Sequence, residues 1–235
     1  MPGAVSTPST TSSRTLLIVC WARQESHNAV ICAISSLEFS GLPSKPLRWL
    51  ILAGVLHVAL TTIIFIIGHF QLWPGAFDQN GIGLTFAIDG ATYRRLASEM
   101  ATQLQTYGVS PWLDIQSPLH CRLYSISFAT VGRVVGHNVL AAEPLNLFYY
   151  LGILSLVYFL AREIFNERSG LLAAAIVALW PSFLMHSTQL IRDPLAIVCL
   201  LGLMLVLTVL LKRELAWLQA LGLGLCGAVL VTVFW

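Results

Sequence analysis

The chain has 235 residues, of which 57% are apolar and only 10% charged, with a net charge of +2 and a mean hydropathy of +0.78. A soluble domain is about a quarter charged, so these values exclude an ordinary water-soluble protein and a disordered chain. The small positive balance also gives no footprint for a polyanionic partner such as nucleic acid. Five cysteines without a CxxC pair predict no disulfide framework.

In chain order, residues 1–15 are rich in Ser, Thr, Pro and Gly. Residues 1–44 read as a disordered or mis-called N-terminal region, and residues 16–20 are too short for a signal segment. From residue 45 onward, stretches of roughly 20 apolar residues recur, the length a helix needs to cross about 30 Å of hydrocarbon. They fall at about 49–69, 144–161, 170–191, 194–211 and 215–235. Backbone groups in lipid must be bonded internally and no two-residue alternation is present, so the expected fold is an all-α polytopic membrane bundle of about five spans. The last run ends at Trp235 without a polar flank, so the chain reads as cut short.

Basic residues in short loops set the expected orientation. Lys45 and Arg48 precede the first span, Arg162 and Arg168 follow the second, and Lys212 and Arg213 follow the fourth. These ends are expected in the cytoplasm. The loop 70–143 and the turn 186–193 are expected outside.

The outer loop is too long for a plain connector and carries two helical patterns. Tyr93, Leu96, Ala97, Met100, Leu104 and Tyr107 recur at three- and four-residue steps, with Asp89-Gly90 before them and Gly108 after. Leu119, Leu123, Ile126, Thr130 and Val134 form the second stripe, between Pro118 and Gly136. Both are expected as amphipathic interfacial helices, with the apolar face in lipid or on the bundle.

Asp89 fits two compatible roles, a helix N-cap and a general base at the mouth of the bundle. Tyr93 lies one turn further on the same face. The second polar cluster is residues 180–195, WPSFLMHSTQLIRDPL. Pro181 is expected to kink the third span. If the helix continues, His186, Gln189 and Asp193 share a face. Asp193-Pro194 also suits a helix start, and Arg192 suits either a snorkelling cation or a phosphate contact. His57, inside the first span, reads as a buried hydrogen-bonded residue. His120 reads as a surface histidine or a substrate contact. The histidines show no metal-site spacing. Trp73, Trp112, Trp180 and Tyr149 suit an aromatic belt.

The order of parts, with AIDGATYRRLASEM, the Pro118-Leu119 element, YFLAREIFNERSG and LLAAAIVALWPSFLMHSTQLIRDPL, resembles the N-terminal part of membrane glycosyltransferases of the C superfamily. It is most like bacterial relatives of the protein O-mannosyltransferases (glycosyltransferase family 39), including lipid A aminoarabinose transferases, over roughly residues 48–212. Two positions differ from the usual pattern: Gly90 follows Asp89 where many relatives carry a second acid, and Ser117 stands where many carry histidine.

The resemblance implies inverting transfer of a sugar from a polyprenyl-phosphate donor to a lipid, glycan or protein hydroxyl, at the outer face of what is expected to be a bacterial plasma membrane. It implies Asp89 as general base, Asp193 as a second acidic site residue and Arg192 as a donor-phosphate ligand. Arg94 and Arg95 are additional phosphate contacts under this reading, and Tyr93, His120, His186 and Gln189 are candidate substrate contacts. A divalent metal, if one takes part, would fall to Asp89 and Asp193. Because the chain stops in its fifth span, an incomplete or inactive fragment is a further expectation. The competing readings are a membrane transporter or channel component and a non-catalytic membrane subunit. Transporters usually carry ionisable groups near mid-bilayer, whereas the acids recognised here cluster at the outer boundary.

Overall fold

The computed structural model describes residues 44–73, 76, 88–212 and 217–234; the expectations for residues 1–43 lie outside it. The described residues are helices joined by short turns, with no strand among them. In order these are α1 (Ser44–His69), α2 (Ile88–Tyr107), α3 (Val109–Asp114), α4 (Leu119–Thr130), α5 (Gly132–Val135), α6 (Val139–Ile164), α7 (Glu167–Leu179), α8 (Pro181–Ser187), α9 (Asp193–Lys212) and α10 (Trp217–Phe234).

Among the described residues, Pro46–His69, Val139–Ile164 and Asp193–Lys212 are each long and apolar enough to cross a membrane. The pair α7–α8 makes a fourth crossing if taken as one broken span. The fifth expected span coincides with α10, whose described apolar stretch, Gln219–Val229, is shorter than a crossing. The molecule is an all-α integral membrane protein. Its many exposed apolar side chains, such as Leu52, Val55, Leu172 and Leu200, are those of a lipid-facing surface.

The second long helix begins earlier than the apolar run suggests. Asn138 caps α6, its side-chain oxygen accepting from the backbone N–H groups of Leu140 (2.9 Å) and Ala141 (3.4 Å). Pro144 then lies inside the helix rather than at its start, and Glu143 is carried into the bundle.

Helix α6 is the centre of the assembly: α1, α7, α8, α9, α4 and α5 all pack on it. Ala53, Tyr150, Leu154 and Ala178 form a core between α1, α6 and α7. Helices in lipid gain little from hydrophobic exclusion, so close packing and buried polar contacts hold them together. Gly170 lets α7 approach α6 closely, since a Cβ there would stand 2.7 Å from the Tyr158 carbonyl oxygen.

The expected kink at Pro181 is a full break. Helix α7 stops at Leu179, Trp180 is extended (φ −70°, ψ 111°), and α8 leaves at 68° with Pro181 as its first residue. Proline cannot donate to the carbonyl four residues back and drives its predecessor out of helical geometry. Helix α8 ends at Ser187, so His186, Gln189 and Asp193 do not share a helix face. His186 is exposed and Gln189 is buried.

The loop helices dock on one end of the bundle. Ala97 and Ala101 of α2, Tyr124, Phe128 and Ala129 of α4, Ala141 and Ala142 of α6, and Leu190 form one buried core. Met100, Trp112 and Cys121 form a second. The stripe expected on α4 is its outward face: Leu119 and Ile126 are exposed, as is Val134 beyond it. The buried face is His120, Cys121, Tyr124, Ser127 and Phe128. Of the expected aromatic belt, Trp73 and Trp180 are exposed, whereas Trp112 and Tyr149 are buried. Trp112 Nε1 donates to Ser125 Oγ at 2.8 Å. Gly108 and Gly136 end their helices as expected, both at positive φ (86° and 80°), where glycine is least strained.

Candidate functional site at one end of the bundle

Asp89 lies in the first turn of α2, one residue inside the helix rather than at its cap, and is exposed. Tyr93, four residues on, is half-buried, and its ring meets the His120 ring edge to face, with centroids 4.6 Å apart. His120 is 7% exposed, and its Nε2 has no hydrogen-bond partner.

Burial holds the His120 imidazole below the usual histidine range. The Arg192 guanidinium lowers it further, and the Asp193 carboxylate acts in the opposite sense. His120 therefore stands in the fields of both members of the second motif while touching the helix that carries the first. Arg192 and Asp193 themselves are exposed at the start of α9.

The turn between α8 and α9 is fastened from α4. Tyr124 OH donates to Asn146 Oδ1 at 2.7 Å, and lies 3.5 Å and 3.4 Å from the carbonyl oxygens of Gln189 and Ile191. Burial raises the Tyr124 hydroxyl well above the ordinary tyrosine value, so it stays protonated and remains a donor. Asn146 Nδ2 is buried without a partner. Gln189 Nε2 donates to Thr188 Oγ1 at 2.8 Å. His186 Nδ1 donates to the Ser182 carbonyl at 2.8 Å.

The other two arginines expected to contact phosphate, Arg94 and Arg95, lie along α2. Arg94 Nη1 donates to the His137 carbonyl at 3.5 Å. Arg95 is largely exposed, with Nε 4.0 Å from Glu99 Oε1, a geometry of little energetic weight.

One network was not legible in the sequence. Inside the bundle, His57 Nδ1 lies 2.8 Å from Glu143 Oε1 and His57 Nε2 lies 3.0 Å from Ser187 Oγ. Thr61 Oγ1 donates to Glu143 Oε2 at 2.7 Å, and the His57 ring packs on Tyr150 at 4.5 Å. A serine, a histidine and a carboxylate in this order invite comparison with an activated nucleophile. Ser187, however, is 1% exposed, and its hydroxyl is within 2.9 Å of the Leu184 carbonyl. With that hydrogen donated to Leu184, His57 Nε2–H donates to Ser187 Oγ, and one hydrogen between Nδ1 and Oε1 completes the chain. It is a clamp joining α1, α6 and α8. Glu143 escaped notice because it precedes the apolar run, and only the Asn138 cap upstream signals that the helix has already begun. His57 is buried and hydrogen-bonded, as the sequence reading favoured.

Among the described residues no group of three or more His, Cys, Asp or Glu could hold a metal ion. Asp89 and Asp193 alone make a short donor set for a divalent cation, so no chemical step is routed through a metal here.

Residues 126–233 match the family model described as dolichyl-phosphate-mannose-protein mannosyltransferase. The matched stretch holds Arg192, Asp193 and Glu143, while Asp89 and His120 lie before it. No curated protein and no solved structure matches the chain.

Proposed function

We propose an inverting sugar transfer from a polyprenyl-phosphate donor to an acceptor hydroxyl at the outer face of a bacterial plasma membrane, a reading supported by the match of residues 126–233 to the family model described as dolichyl-phosphate-mannose-protein mannosyltransferase. Asp89 removes the acceptor's proton as its oxygen attacks the anomeric carbon. The bond from that carbon to the phosphate oxygen breaks on the opposite face, and the polyprenyl phosphate leaves as an anion. Arg192 offers its paired N–H donors to that phosphate, and Asp193 orients the guanidinium and the sugar. Arg94 and Arg95 add a positive field along α2.

The observation that carries this reading is His120, which packs on Tyr93 one turn beyond Asp89 and lies in the fields of Arg192 and Asp193. Two motifs about a hundred residues apart thereby share one end of the bundle. That end is opposite the one where Lys212 Nζ donates to the Glu163 and Ile164 carbonyls, at 2.7 Å and 3.3 Å, which agrees with a cytoplasmic position for the basic ends. The exposed carboxylates and arginine suit a site where a lipid phosphate meets a water-borne acceptor. A positioned general base typically contributes about 10²- to 10⁴-fold. Asp89→Asn in membranes is therefore expected to lose at least that much transfer at unchanged expression. Transfer at the wild-type rate by this variant would remove Asp89 from the role.

A further inference from the structure

We propose that His120, through Nε2–H, is a neutral hydrogen-bond ligand for a phosphate-ester oxygen entering between α2, α4 and the start of α9. The proposal rests on the transferase reading above and adds to it a residue outside both acidic motifs.

Three observations lead there. A buried polar nitrogen without a partner is rare in a folded protein and calls for an explanation, and His120 Nε2 is such an atom. Its ring is fixed rather than free: Tyr93 meets it edge to face at 4.6 Å, and Cys121 and Tyr124 beside it are fully buried. Among the described residues, the charged groups acting on it are Arg192 and Asp193. A neutral imidazole with one N–H offers a donor without adding a second positive charge beside the guanidinium. An oxyanion at this place would be held by charge from Arg192 and by direction from His120. A sugar hydroxyl would satisfy the nitrogen too, but it would gain nothing from the adjacent guanidinium.

The test uses the full chain in nanodiscs, with farnesyl phosphate as probe, farnesol as the same tail without the anion, and inorganic phosphate as the anion without the tail. Wild-type protein is expected to bind farnesyl phosphate more tightly than either control. A single hydrogen bond to a charged group corresponds to about tenfold in affinity. His120→Phe should therefore lose about tenfold for farnesyl phosphate and keep its farnesol affinity. His120→Gln, which places an amide donor near the Nε2 position, should stay within about threefold of wild type. The empty His120→Phe protein should melt no lower than wild type, because it removes an unsatisfied nitrogen. A packing role would lower its melting point and spare phosphate binding.

A readout independent of substitution is the 15N signal of labelled His120, which should move with farnesyl phosphate and stay with farnesol. Unchanged phosphate binding by His120→Phe, or an unmoved signal, overturns the assignment and leaves the transferase reading intact. Tighter binding of inorganic phosphate than of farnesyl phosphate would assign the site to a free anion and overturn the lipid-phosphate source. Absence of any phosphate-dependent binding by wild type would overturn both readings.

Discussion

His57 and Glu143, 86 positions apart in sequence, lie side by side in the bundle, with Nδ1 2.8 Å from Oε1. Every polar atom of the pair has a partner: Ser187 for the second ring nitrogen and Thr61 for the second carboxyl oxygen. Removing one member leaves the other buried and uncompensated, which typically costs about 3–5 kcal/mol. His57→Leu and Glu143→Leu should each lower the thermal midpoint in detergent sharply. The double variant should recover part of the loss, because an apolar pair leaves no orphan. Additive losses in the double variant would show that the two side chains act separately.

Two loop histidines set a pH dependence. Burial lowers the proton affinity of His120 and His137, helped by Arg192 in one case and Arg94 in the other. The unfolded chain takes up protons near the ordinary value of 6.5, whereas the folded protein takes them only at lower pH. Stability is therefore full above that value and declines as pH falls below it. Unfolding midpoints measured from about pH 7.5 to about pH 5 should fall on the acid side. His120→Gln should flatten part of that fall, and a profile identical to wild type would assign the slope to other groups.

At Gly170, α7 lies close against α6. Alanine there would press its methyl group on the Tyr158 carbonyl, a backbone atom that cannot swing away. Overpacking of this kind costs about 1–3 kcal/mol. Gly170→Ala should reduce stability by that amount in a detergent unfolding series, while Gly222→Ala, where nothing lies within 4 Å, should be close to neutral.

Much of the architecture was readable from the chain. The long apolar runs announce themselves by length alone, and Pro181, Gly108 and Gly136 break the backbone where their chemistry requires. What the pattern left open was direction. On α4 the regular stripe of Leu119, Ile126 and Val134 points away from the bundle, and the inward face mixes His120, Cys121, Tyr124 and Phe128. Beside lipid the most apolar side chains gain little by turning inward, so on α4 the stripe is the outer face, whereas on α2 the stripe with Ala97 and Met100 is buried. The association of Tyr93 with His120, and of His120 with Arg192, depends on tertiary packing that spacing along the chain does not encode.

Because six of the other nine described helices pack on α6, it acts as a common shaft whose angular phase is shared by both ends of the protein. Its upper turns present Glu143 and Asn146 to the polar contacts, and its lower turns present Leu154 and Tyr158 to the apolar ones. One helical residue corresponds to a rotation of about 100°. Adding or deleting a single residue between Tyr150 and Ile153 would twist one set out of alignment with the other, uncoupling the clamp at His57 from the close approach at Gly170 in one stroke.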